Sequence, residues 1–167
     1  MNAHPLLVRI AEVLDRLKLE AILIGNAAAA LHGAPVTTVD LDFLFCRTPA
    51  NMRKLKALAE ELGAVVMRPY YPLSGLYRVI RDDDGLQLDF MSVIDGVSSF
   101  EGLRKRARLV RFGDCYIRVA SLSDIIRSKR AAGRPRDRAV LEVLEDTLGE
   151  EKRSPTQGRS RGPQEGK

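Results

Sequence analysis

The 167-residue chain has no tryptophan and only 5% aromatic residues. That scarcity argues against a module that grips single-stranded nucleic acid on a platform of stacked rings, and no ribonucleoprotein motif is present. Cysteine occurs twice, at Cys46 and Cys115, without the spacing of a metal site, which reads as two free thiols in a reducing compartment rather than a disulfide. No apolar run approaches the roughly 20 residues of a membrane span, and the N-terminus lacks the charged and apolar regions of a signal peptide. These absences predict a soluble, cytoplasmic protein with no membrane partner. No internal repeat is found. What is abundant is ordinary for a globular domain: 45% apolar residues, with a formal charge of +5 that favours an anionic partner, part of it contributed by the C-terminal tail.

The most informative stretch runs from residue 22 to residue 45. The apolar run Ala21-Ile22-Leu23-Ile24 meets Gly25-Asn26, an alanine-rich segment continues to His32-Gly33, and a second apolar run carries Asp40 and Asp42. The pattern predicts strand, tight turn, short helix, turn, strand. Alternation along the second strand puts Val39, Leu41, Phe43 and Phe45 on one face and Asp40, Asp42 and Leu44 on the other. Two carboxylates roughly 7 Å apart along one face repel each other wherever water is scarce, at about 3.3 Å of rise per residue. A divalent cation relieves that repulsion, and Mg²⁺ is commonly held by one or two carboxylates plus substrate phosphates. Gly25-Asn26 suits the same ligand, because glycine admits close approach of backbone and the amides opening a helix point at an anion.

The remaining chain reads as alternating helices and strands. An amphipathic helix covers residues 5–17, and Thr48-Pro49 starts another that Gly63 ends. Residues 64–67 form a strand, followed by a proline-bounded loop at 69–74. Residues 76–81 and 86–93 flank Asp82-Asp83-Asp84-Gly85 as a hairpin, whose triple aspartate is explained by turn chemistry. Asp89 is different: it lies midway along an apolar strand, sharing a face with Gln87 and Met91, where an acid is costly unless it is paired or coordinates a metal. Ser98 with Glu101 and Ser121 with Asp124 are capping pairs for two helices, with a second hairpin at residues 109–119 between them. In the run 128–137, Gly133 and Pro135 break one helix and begin the next. Lys129 and Arg134 at that junction can grip phosphates, or pair with Asp137 to fix the two helices. From about Gly149 the apolar pattern ends, predicting a folded domain over residues 1–149 and a disordered basic tail over 150–167.

Taken together, these segments resemble the signature of the nucleotidyltransferase superfamily, the polymerase-β-like fold, in which a glycine turn precedes an Asp-x-Asp strand. Within it they are most similar to minimal bacterial members of the abortive-infection toxin type. Gly25, Ala27, His32, Gly33, Thr38, Asp40 and Asp42 match that pattern, as do Lys129, Arg134 and Asp137 in its late Lys, Arg-x-x-Asp segment. Asn26 stands where glycine or serine is usual, and Val36 where a basic residue is often found. The resemblance implies an α+β fold, a mixed β-sheet flanked by helices with a C-terminal helix pair. It implies transfer of a nucleoside monophosphate from an NTP to a hydroxyl on an RNA or tRNA end or on a protein, with release of pyrophosphate. It further implies two Mg²⁺ ions, or Mn²⁺, on Asp40, Asp42 and Asp89, a phosphate grip made by Gly25, Asn26, Lys129, Arg134 and Asp137, and an antitoxin partner. Two alternatives stay open: a noncatalytic member that keeps the fold to bind nucleotide, nucleic acid or a partner protein, and a plain RNA-binding domain.

Overall fold

The computed structural model describes residues 3–67 and 75–154. Among these residues the chain forms six helices around one seven-stranded mixed sheet, ordered β3-β4-β5-β2-β1-β7-β6. The expected α+β class is therefore what the chain adopts. In chain order the elements are α1 (Ala3–Leu17), β1 (Ala21–Ile24), α2 (Gly25–Leu31), β2 (Leu41–Phe45), α3 (Pro49–Glu61), β3 (Val65–Met67), β4 (Leu76–Arg81), β5 (Leu86–Met91), α4 (Phe100–Arg106), β6 (Arg108–Phe112), β7 (Cys115–Val119), α5 (Leu122–Ala132) and α6 (Pro135–Arg153). The loop predicted at 69–74 and the tail beyond residue 154 lie outside the described residues.

The alternation of β2 and β5 decides the core. Phe43, Phe45, Leu88 and Phe90 are fully buried on one face; Phe43 stacks on Phe90 with centroids 5.1 Å apart, and Phe45 meets Phe90 edge-on at 5.8 Å. Ile10 and Val13 of α1 and Leu55 and Leu58 of α3 are buried in the same cluster, with α1 packed on β6, β7 and α3. β2 and β5 run parallel, as do β1 and β7, whereas β1–β2, β3–β4, β4–β5 and β6–β7 are antiparallel. On the other face, α2 crosses β1 and β2 and packs against α5, which in turn lies along α6.

Local chemistry fixes most boundaries. Thr48 caps α3 by accepting from Asn51 N, and Ser121 caps α5 by accepting from Asp124 N. Ser99, rather than the expected Ser98, caps α4, since its hydroxyl is the one that accepts from Gly102 N. The hairpin tip is turn chemistry, as expected: Arg81 clasps Asp84 through two nitrogens, and Asp84 accepts from Leu86 N at 3.3 Å. α6 continues through Glu150 to Arg153, past Gly149. A second expectation fails: β2 begins at Leu41, and Val39 is 91% exposed instead of lying on the buried face. The cause is Thr38, whose hydroxyl donates to Asp40 O at 2.8 Å and accepts from Asp40 N at 3.3 Å, bending the chain ahead of the strand. Asp40 accordingly sits in that bend rather than on the strand.

Candidate active site

Strand register brings the acids together. Ile24 of β1 pairs with Asp42 of β2, Asp42 with Asp89 of β5, and Asp89 with Arg78 of β4, so one row across four strands presents Asp42, Asp89 and Arg78 side by side on one face. Gly25 follows Ile24 at the end of the row with φ +67°, and a Cβ there would stand 2.7 Å from Asp42 Oδ2. Both the backbone conformation and the approaching carboxylate require glycine at this position.

A cleft of about 620 Å³ opens over this row. Asn26, Asp40, Asp42, Asp89, Lys129, Arg134 and Asp137 all line it, so seven of the eight sequence-derived candidates share one cavity, with the eighth, Gly25, directly behind Asp42. The acids come from the sheet and the bend before β2, while the cations come from the α5–α6 junction. There Gly133, at φ +62°, ends α5 by donating its N–H to Lys129 O, and Pro135 restarts the chain as α6. Asp137 is buried between the two helices, with Lys129 Nζ 3.3 Å from its Oδ1 and Arg134 Nε 3.1 Å from its Oδ2. Asp137 is thus both scaffold and cleft wall, holding the two cations at the mouth.

The electrostatics of the acid end are unbalanced. The Asp42 carboxyl is pushed up to about 6, first by burial, then by the nearby charges of Asp89 and Asp40, with Lys129 and Arg136 opposing the rise. Arg78, hydrogen-bonded to Asp89 and facing Asp40 and Asp42 as well, has its pKa raised in turn. Among the described residues no three His, Cys, Asp or Glu side chains gather closely enough to cage a metal. The donor set still fits a hard divalent ion: Asp40 and Asp42 supply carboxylate oxygens, and Asn26 Oδ1 is buried in the cleft wall without a hydrogen-bond partner, while its Nδ2 donates to Thr37 O at 3.4 Å.

Sequence reasoning missed Arg78, Asp95 and Arg136, which also line the cleft. Arg78 had a usable signal, because counting back from the Asp-Gly turn places it opposite Asp89. His32 proves structural: its ring is 3% exposed, Nε2 donates to Ala120 O at 2.8 Å, and Nδ1 lies 2.9 Å from Glu151 Oε1, tying the end of α2 to α6. Asp124, explained from sequence by capping, is 1% exposed and accepts from Arg106, Arg127 and Ser121. The groove on the outer side of α5 and α6, about 430 Å³, is lined by Arg127 and Arg130, which are already paired with Asp124 and Glu145.

No family model matches the chain, and no curated protein sequence matches it. Solved structures do. The solution structure of the antibiotic-resistance factor ANT(2'')-Ia superposes with a TM-score of 0.62 at 18% identity, covering 91% of this chain and 88% of that one. The crystal structure of ANT(2'')-Ia in complex with adenylyl-2''-tobramycin gives 0.61 at 19% identity, covering 91% and 92%. The lincosamide antibiotic adenylyltransferase LnuA, bound to lincomycin, gives 0.60 at 13% identity, covering 84% and 95%. The chain has the nucleotidyltransferase fold.

Proposed function

We propose that this protein is a nucleotidyltransferase that moves a nucleoside monophosphate from an NTP to a hydroxyl acceptor and releases pyrophosphate. The observation that carries the reading is the register row: Asp42 and Asp89, more than forty residues apart in sequence, stand side by side over Gly25, facing Lys129, Arg134 and Arg136 across one cleft. Asp40, Asp42 and Asp89 would hold two divalent cations, Mg²⁺ or Mn²⁺, which when bound offset the repulsion of the acids and neutralise charge on the polyphosphate. Lys129 and Arg134, pre-set by Asp137, take the leaving phosphates, one as a point charge and the other as a fork. Asp89 orients the acceptor hydroxyl by accepting its hydrogen bond. The acceptor oxygen bonds to the α-phosphorus as the bond to the β-phosphate oxygen breaks, pyrophosphate leaves with that electron pair, and the hydroxyl proton passes to solvent.

The acceptor follows from experiment rather than from the fold, which hosts several acceptor classes. Purified protein is incubated with each α-labelled NTP and Mg²⁺ in three arms: total bacterial RNA, lysate protein, and small polyhydroxylated compounds including an aminoglycoside and a lincosamide. Transfer of label in one arm names donor and acceptor together, and labelled RNA would support the toxin-type reading with its antitoxin partner. Asp42→Ala should stay folded and transfer nothing. Binding of NTP and Mg²⁺ by calorimetry with no transfer in any arm would replace this reading with the noncatalytic one.

A further inference from the structure

Asp89 is buried, and both of its oxygens are taken by one side chain. Arg78 Nε donates to Oδ1 at 2.7 Å and Nη2 to Oδ2 at 2.9 Å, the parallel fork that matches guanidinium to carboxylate. Gln87, on the same face of β5, backs the fork from the other side. With its amide oxygen turned to the guanidinium, it accepts from Nε and Nη2 at 3.2 Å each. The pairing is written into the hairpin, since the ladder that closes with Arg81 opposite Leu86 puts Arg78 opposite Asp89. Taking the guanidinium away would strand a buried charge, which is strongly destabilising.

The pairing of the acids points the same way. Of the three acids at this end of the cleft, Asp89 alone is clasped by a guanidinium among the described residues, and Asp40 and Asp42 are left as the pair without one.

We propose that Arg78 takes the place of a second cation: it keeps Asp89 off the metal, so that Asp40 and Asp42 alone hold a single divalent ion, and it fixes Asp89 as the group that orients the acceptor. The inference rests on the nucleotidyl-transfer reading and narrows it from two ions to one. Arg78 is in this sense a positioning residue, acting through Asp89.

The test is a charge-neutral exchange of the pair, Arg78→Gln with Asp89→Asn in the full chain, titrated with Mn²⁺ alone while free ion is read by electron paramagnetic resonance. Wild type should bind one Mn²⁺ per chain. The double variant should bind it within about threefold of wild type although its transfer rate falls, whereas Asp42→Asn should weaken it about tenfold or more, the scale on which losing even an outer partner of a metal ligand acts. A double variant that loses Mn²⁺ as severely as Asp42→Asn, or a wild type that holds two ions per chain, overturns the proposal. A second measurement needs no variant of the pair to fold: in ¹⁵N-labelled wild type the Arg78 Nε–H resonance should keep its hydrogen-bonded position when Mg²⁺ saturates the protein. Movement to a solvent-like position would mean that Asp89 has left Arg78 for the metal. A wild type that binds Mn²⁺ and transfers nucleotide but fails these tests sinks only this inference, and one that neither binds the ion nor transfers nucleotide sinks the functional reading with it.

Discussion

Asp42→Asn should make the metal-free protein more stable while destroying its activity. The Asp42 carboxyl titrates near pH 6 in the folded chain against 3.8 for the free side chain, because burial and the charges of Asp89 and Asp40 disfavour its ionised form. At about 1.4 kcal/mol per pH unit, holding that carboxylate ionised costs the fold about 3 kcal/mol. The sign follows from proton binding: between pH 3.8 and 6 the folded chain keeps a proton that the unfolded chain has released, so stability is whole below 3.8 and is lost as pH rises through 6. Asparagine keeps the shape without the charge. In a chelator at pH 7.5 the variant should therefore melt higher than wild type by roughly 6–12 °C, at about 2–4 °C per kcal/mol for a chain of this size, and below pH 4 the gap should close. Thermal melts across that pH range give the curve directly, and titrating groups remote from Asp42 cancel in the difference. Adding Mg²⁺ should raise the wild-type midpoint by mass action more than it raises the variant's. A gap that does not vary with pH, a variant that melts below wild type at pH 7.5, or equal stabilisation of both proteins by Mg²⁺ would refute the assignment of Asp42 as a cation-seeking carboxylate.

Gly25→Ala should leave a folded protein with transfer reduced about 100-fold, because the new Cβ displaces the Asp42 carboxylate and misplacement of about 1 Å is enough for a loss of that size; steady-state rates at saturating NTP check it. Lys129→Met should raise KM for the NTP more than it lowers kcat and, since Lys129 holds the Asp42 pKa down, move the acid limb of Mg²⁺ binding to higher pH, with Lys129→Arg restoring the pH limb. Asp124→Ala should cost about 1–3 kcal/mol at pH 7 by removing a buried carboxylate that accepts from Arg106, Arg127 and Ser121, yet leave Mg²⁺ affinity unchanged. Because desolvation is outweighed there by hydrogen bonds from Arg106 and Ser121, the Asp124 pKa lies below the usual carboxylate range, so the loss should fade as pH falls through that depressed value.

Period-two patterns made β2, β5 and both hairpins legible, because a buried strand face needs its apolar residues at every second position whatever lies around it. The same rule misplaced Asp40 and Val39, since a single hydroxyl at Thr38 was enough to end the alternation before Leu41. Lys129 and Asp137 could be brought together from sequence because Gly133 and Pro135 force the chain to reverse within a few residues, whereas Arg136 faces the same cleft by a helix rotation that no local signal announces. The least legible feature is the parallel register of β2 on β5. Nothing local links Asp42 to Asp89; their alignment is set by how α3, β3 and β4 return the chain to the sheet, and a slip of one residue would have turned Asp89 toward the phenylalanine core. Arg78 makes that slip costly. On the core face, either member of the pair would be an unpaired charge among Phe43, Phe45 and Phe90, so the guanidinium that orders the acid row also helps to choose the register that creates it.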